Sequence, residues 1–364
     1  MEEKYLLSIL AEYGISKDDI SEISPFGNGH INSTFKITAK SGGIYILQKI
    51  NHYVFKDPIR LMDNMVAVTS FIQNKAKVND DDPEKATINV LKTLKGKNLV
   101  VTNQREYFRL QYYIDAVSLD SANNETLCTV GETFGRFQKL LSDFPAETLF
   151  EVIPNFHNTV KRYKDLKTAI KIDIKSRAES VAEEIAYARS RKEYIGRIVN
   201  GLAMEEIPLR VTHNDTKLNN VLLDKETLRG MCVIDLDTIM PGSYLYDYGD
   251  ALRFAASSAD EDEKDLSKIY FDMEKFEAFT KGYVSEIKSK LAPRELELMA
   301  YSVELMTYEC GIRFLTDYLN GDTYFKIAYD DHNLDRARAQ FALARDINKK
   351  LPEMQEIINK YALA

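Results

Sequence analysis

Apolar and polar positions alternate in short runs over the first third of the chain, and turn residues separate the runs. The stretch SEISPFGNGHINSTFKITA (residues 21–39) places a Gly-Asn-Gly turn between two such runs, which predicts a hairpin, and GIYILQKI (43–50) continues as a third strand. The period then changes. Leu61, Met65, Val68 and Ile72 fall on one helical face behind an Asp-Pro start, so a helix is predicted over 57–77. KNLVVT and EYFRLQYYI, joined by the polar turn NQR, return to strand-like runs. Three strands, a helix and two strands make a small α+β lobe over residues 1–115.

Helical spacing dominates from 116 to 364. Val130, Phe134, Phe137 and Leu141 mark one amphipathic helix, and Leu296, Met299, Val303, Met306 and Cys310 mark another. Between them, VLL and CVI read as short β segments beside the polar stretches VTHNDTKLNN (211–220) and VIDLDTIMPG (233–242). The acidic run SADEDEKDL (258–266) lacks the glycine and spacing of a calcium loop and reads as the solvated start of a helix. The chain opens on MEEKYLLSILAEYG, which predicts an amphipathic helix rather than a signal peptide.

Composition narrows the function classes. With 364 residues, 45% hydrophobic and 29% charged, the chain can bury a substantial core and has no apolar run of membrane-spanning length, so no membrane partner is expected. A formal net charge of −8 gives no electrostatic footprint for nucleic acid. Cys128, Cys232 and Cys310 are widely spaced and odd in number, which predicts buried thiols in a reducing cytoplasm.

The spacing His213-x-Asp215-x4-Asn220 matches a kinase catalytic loop, in which an aspartate receives the nucleophile's proton and an asparagine five residues on binds magnesium. Asp235 follows an apolar strand, where kinases place their principal magnesium-binding aspartate. Phosphoryl transfer depends on positioning and charge neutralisation, and this pattern supplies both. Asp215 is the candidate base, Lys217 a point charge for the transferring phosphoryl, and Asn220 and Asp235 oxygen ligands for Mg2+. Asp237 is expected to bind a second magnesium or to position the first through water. His213 is expected to fix the loop backbone.

The sequence resembles the aminoglycoside phosphotransferase and choline kinase superfamily, and more closely the N-acetylhexosamine 1-kinases. The resemblance rests on FGNGHINSTF, YILQKIN, LRVTHNDTKLNN, VIDLDTIMPGSYLYDYGDALRF, EDEKDLSK and ECGIRFLTDYLNGDTYF. It implies a two-lobed protein-kinase-like fold, ATP with Mg2+, and transfer to the anomeric hydroxyl of GlcNAc or GalNAc. It puts Gly27, Gly29, Asn32 and Ser33 on the phosphate-covering hairpin and the nucleobase-contacting backbone near Tyr113 and Asp115. His30, Phe254, Arg313 and Tyr324 fall at positions that surround the sugar, while Asp247 falls on an aspartate that buttresses the catalytic loop. For Arg313, four residues from both Glu309 and Asp317, a salt-bridge ladder is the competing expectation.

Two departures stand out. Kinases hold the α- and β-phosphates with a third-strand lysine paired to a helix glutamate, but this strand carries Gln48 at the lysine position, and residues 57–77 contain no glutamate. Lys49 faces the other side of the sheet. Magnesium, hairpin amides, Lys217 and Arg60 are expected to meet the triphosphate charge, with Asp63 the nearest acidic residue on the helix. No activation segment follows the DLD motif, so a small molecule, not a protein, is the expected acceptor. The alternatives are another small-molecule hydroxyl kinase, acting on a different sugar, an amino alcohol or an aminoglycoside, and a nucleotide-binding pseudokinase.

Overall fold

In chain order the elements are α1 (Glu3–Ala11), β1 (Ile20–Pro25), β2 (Ser33–Ala39), β3 (Ile44–Ile50), α2 (Pro58–Val78), β4 (Val100–Val101) and β5 (Tyr107–Tyr112). There follow α3 (Asn124–Leu140), α4 (Thr159–Ile172), α5 (Ala182–Ser190), α6 (Arg197–Ala203), β6 (Arg210–Thr212), β7 (Val221–Leu223), β8 (Gly230–Val233) and β9 (Met240–Gly242). Four helices complete the chain: α7 (Tyr244–Ala255), α8 (Met273–Ile287), α9 (Pro293–Asn320) and α10 (His332–Ala362). This computed structural model describes residues 2–27 and 31–363. The expected α+β class holds, with an antiparallel sheet in the N-terminal part and a larger helical part after it.

Two compact units account for the chain. The first comprises Met1–Ser118, Asp143–Ile153 and Leu222–Met240; the second comprises Leu119–Ser142, Pro154–Val221 and Pro241–Ala364. In the first unit the five-stranded antiparallel sheet runs β1-β2-β3-β5-β4. The alternation that marked the strands decides its two faces. Leu47 and Leu110 pack with Leu6, Ile9 and Leu10 of α1, whereas the side chain of Arg109, one position from Leu110, meets Met62 and Met65 of α2. Helix α2 starts where the Asp-Pro pair predicts, with the Asp57 carboxylate accepting the Arg60 N–H and Pro58 in the first turn. The KNLVVT run contributes only the two residues of β4, at the sheet edge.

The second unit packs α3 against α8, α9 against α7, α4 and α10, and α10 against α8. Close approach of α3 and α8 depends on glycine. A Cβ at Gly131 would stand 2.3 Å from the Phe279 carbonyl oxygen, and one at Gly282 2.0 Å from that of Cys128. Helix α9 is buried on nearly every side between Leu298 and Ile312. One expectation fails: no α-helix begins at residues 258–266. Asp265 instead caps a single 3-10 turn, Glu261 turns inward to Arg253, and α8 starts later, where Asp272 accepts the N–H groups of Glu274 and Lys275. Among the described residues no helix is long and apolar enough to cross a membrane.

Candidate active site

The catalytic-loop motif lies in the second unit, between β6 and a 3-10 turn at Leu218–Asn220. A buried carboxylate shapes it. Asp247, on the first turns of α7, accepts N–H bonds from His213 and Asn214 at 2.8 Å each and a third from Gln138 Nε2 at 2.8 Å, while its carbonyl accepts the Thr216 hydroxyl. Burial pushes this carboxyl above the usual carboxylate range, and the His213 imidazole and the two loop N–H groups oppose that shift. His213 is fully buried between the edges of Phe134 and Phe137, and its Nδ1 accepts the Asp215 N–H at 3.2 Å. The loop backbone is thus held on both sides of Asn214, which adopts φ +64°.

That scaffold leaves the Asp215 side chain 29% exposed. Asn220 Nδ2 donates to the Asp215 carbonyl at 2.8 Å and to Oδ2 at 3.3 Å, and Lys217 Nζ lies 2.9 Å from Oδ1. Lys217 also sits 5.9 Å from the centre of the Phe254 ring, against which the Arg253 guanidinium stacks at 3.8 Å. Asp215, Lys217 and Phe254 are therefore brought together. Lys217, Arg253, Phe254, Glu261 and Gln340 line a cavity of about 320 Å³, at whose wall Asp120 and Asp260 are exposed.

Sequence reasoning passed over Arg253 and Glu261. Burial works against the Arg253 charge, but Cys310, Asp250 and Glu261 around it more than offset this and raise its pKa. Nothing local to GDALRF marks that arginine as buried, and Glu261 is hidden among the other acids of its run.

Arg313 and Tyr324 form a separate group outside the lining of that cavity. Asp317, 4% exposed, collects the N–H groups of Thr323, Tyr324 and Phe325 at 2.9–3.0 Å, just after Gly321 ends α9 in the left-handed region at φ +91°. Tyr324 is 68% exposed, edge-on to Phe325. The Arg313 guanidinium lies 5.3 Å from the Phe156 ring and 5.6 Å from Phe325. The salt-bridge ladder does not form. Among the described residues Arg313 has no ion pair, because Glu309 is bound to His157 and Thr159 and Asp317 to its loop.

The first unit carries the nucleotide-side candidates. Gly27 has φ +74°, as a tight turn requires. Gly29 and His30 lie outside the described residues. Ser33 opens β2 opposite Lys49. Tyr113 packs edge-on against Phe26, with Lys36 Nζ 4.7 Å from its ring centre, and exposed Asp115 pairs with Lys225. Asp235, in the left-handed region at φ +59°, stands at the N-cap position of the 3-10 turn Leu236–Thr238 without a side-chain capping bond.

Asp237 and Asn32 share a hydrogen-bonded group with Arg109. Arg109 donates to Asp237 Oδ1, Asn32 Nδ2 donates to Oδ2 at 2.6 Å, and the pair of Arg109 and Asp237 is almost fully buried. Arg109 Nε donates to Gln48 Oε1 at 2.8 Å, and Gln48 Nε2 to Thr34 Oγ1 at 3.1 Å. Thr34, Gln48 and Arg109 are directly opposed across β2, β3 and β5, which explains the shared face. Lys49 points the other way and pairs with Glu106. On the helix side, Asp63 is exposed, and Arg60 lies over the Phe150 ring at 4.1 Å. Asn64 instead ties α2 down, donating to the carbonyls of Phe150 and Ile239 and accepting the Phe150 N–H.

Among the described residues no group of three or more His, Cys, Asp or Glu side chains is arranged to hold a metal.

The sequence profile of the phosphotransferase enzyme family matches residues 22–279 of the 364. Among solved structures, the chain is similar to a microcompartment-associated aminopropanol kinase, with a TM-score of 0.65 and 17% identity over 97% of this chain and 99% of that one. It is similar to choline kinase from Cryptosporidium parvum Iowa II, at TM-score 0.57 and 14% identity over 100% of both chains. A spectinomycin phosphotransferase in complex with ADP and spectinomycin gives TM-score 0.57 and 13% identity, over 97% of this chain and 99% of that one. At these identities the solved structures speak for a shared fold.

Proposed function

Because the chain belongs to the phosphotransferase enzyme family, we propose that it transfers the γ-phosphoryl of ATP, taken with Mg2+, to the anomeric C1 hydroxyl of GlcNAc or GalNAc. The observation that carries this reading is Lys217, which pairs with Asp215 and lines one cavity together with Phe254. Asp215 is partly exposed, with Lys217 beside Oδ1 and the Asn220 amide 3.3 Å from Oδ2, so it suits a hydroxyl proton. In the step proposed, the C1 oxygen bonds to the γ-phosphorus as the bond to the ADP oxygen breaks, and the hydroxyl proton passes to Asp215. Lys217 holds a positive charge where the transferring oxygens carry negative charge.

The aromatic face of Phe254 suits a pyranose ring, while Arg313 and Tyr324, outside the lining of that cavity, are assigned as donors to ring hydroxyls or the acetamide on the resemblance alone. ADP in the spectinomycin phosphotransferase supports an adenine nucleotide as cosubstrate. The residue types proposed as ligands suit magnesium. The proposed ligands are oxygens, the Asn220 side-chain carbonyl, whose amide nitrogen donates to Asp215, and the Asp235 carboxylate, and a hard cation with so few protein ligands would take the rest from phosphate and water. When bound, the ion neutralises phosphate charge.

One observation favours a second reading, an amino-alcohol kinase. Asp120 and Asp260, both exposed, line the same cavity and suit a cationic acceptor. Steady-state kinetics separate the two. The hexosamine reading expects kcat/KM for GlcNAc or GalNAc to exceed that for choline, ethanolamine and aminopropanol by orders of magnitude, and the reverse order replaces it.

A further inference from the structure

Gln48 raises the question of what stabilises the metal-binding turn when the usual lysine and glutamate are both missing. Arg109 is 2% exposed, with Nε donating to Gln48 and Nη1 to Asp237, so its burial keeps it from a phosphate. Asp237 has one oxygen bound by Arg109 and the other by Asn32. Asn32 is itself fixed, since its Oδ1 accepts the Asn51 N–H at 2.9 Å, while Asn51 Nδ2 donates to the Ile31 carbonyl at 3.2 Å.

A continuous hydrogen-bonded series therefore runs from Thr34 through Gln48, Arg109 and Asp237 to Asn32 and Asn51. It joins the strand leaving the glycine turn to the 3-10 turn that follows Asp235. We propose that Arg109 and Asp237 are positioning residues: their ion pair fixes the Asp235 carboxylate, two residues before Asp237, in its metal-binding orientation, and ties that orientation to the hairpin over the nucleotide. Asp237 then takes no metal of its own. This rests on the kinase reading. It also explains the paired absence of lysine and α2 glutamate, because an arginine from β5 and an aspartate from the metal turn form the buried pair inside the same lobe. A lysine at position 48 would stand directly opposite Arg109.

The test is ADP affinity by calorimetry, with and without Mg2+, for the unsubstituted protein and for Arg109→Met, Asp237→Asn, their combination and Asn32→Ala. We expect Mg2+ to tighten ADP binding in the unsubstituted protein. Arg109→Met and Asp237→Asn should each cut that tightening by about tenfold or more, the scale on which residues supporting a metal ligand act. Metal-free ADP affinity should change little, and the combined variant should be no worse than the worse single one. Full magnesium-dependent tightening in Arg109→Met beside its loss in Asp237→Asn would overturn the proposal, since Asp237 would then bind the metal directly. Should Arg109→Met not fold, the combined variant, which leaves no unpaired buried charge, and Asn32→Ala decide: retained tightening in both overturns the proposal. If the unsubstituted protein itself shows no magnesium effect on ADP, the kinase reading falls and takes this inference with it.

Discussion

Lys217 Nζ lies 2.9 Å from Asp215 Oδ1, so a cation stands beside the carboxylate assigned to take the acceptor's proton. Asp215→Asn should keep Mg·ATP affinity and lose about 10²–10⁴-fold in kcat, the usual contribution of a positioned general base. Lys217→Met should lose about 10²-fold, on the scale of one removed electrostatic donor. Single-turnover kinetics with nucleotide binding measured in parallel checks both.

Gln48→Lys should not recover a kinase-like gain in rate. The residue lies opposite Arg109 and accepts its Nε–H, so the change brings two cations together in a buried site and removes an acceptor. A loss of about 3 kcal/mol in unfolding free energy is expected, as for other disrupted buried charge pairs. Urea denaturation gives the value, and a raised kcat at unchanged stability would contradict the assignment of Arg109.

Asp317→Ala should release the loop that carries Tyr324, because one carboxylate holds three consecutive N–H groups there. The acceptor KM should rise about tenfold, consistent with loss of roughly 1.4 kcal/mol in substrate binding, while the KM for ATP stays within error.

Glu309 gives a pH signature. Burial alone would raise its carboxyl, but the His157 and Thr159 hydrogen bonds and the nearby Arg313 bring it below the usual glutamate value of 4.5. A depressed carboxylate stabilises the fold above its unfolded pKa, and that contribution is lost as pH falls through the lower folded value. Glu309→Gln should therefore cost about 2 kcal/mol at pH 7, the scale of hydrogen bonds to a buried charge. The gap between variant and parent should narrow as pH falls below 4.5 in thermal melts taken across that range.

Much of the architecture was legible because it is written in period. The alternation of GIYILQKI and the i, i+3, i+7 apolar spacing after Asp57 gave β3 and α2 nearly to the residue. The polar density of VTHNDTKLNN drew attention to Asp215 and Lys217 because such residues beside apolar strands need partners. Arg109 was not legible. Within EYFRLQYYI it reads as one more polar position in an alternating strand, and its ion-pair partner lies 128 positions away in the DLD motif. Only the β3–β5 register puts Arg109 opposite Gln48 and converts an apparent loss into a rearranged pair. SADEDEKDL misled for a related reason: acidic density signals a helix start, but the direction of Glu261 depends on Arg253, which local sequence does not reveal.

The most direct test of the central claim is phosphorus and proton NMR of the products formed from Mg·ATP with GlcNAc, GalNAc, glucose, galactose and choline, with Asp215→Asn as the control. The account predicts a phosphate resonance coupled to the anomeric proton of GlcNAc or GalNAc, absent in the control. Phosphorylation confined to choline or to a non-anomeric hydroxyl, or an anomeric phosphate formed equally fast by Asp215→Asn, would contradict it.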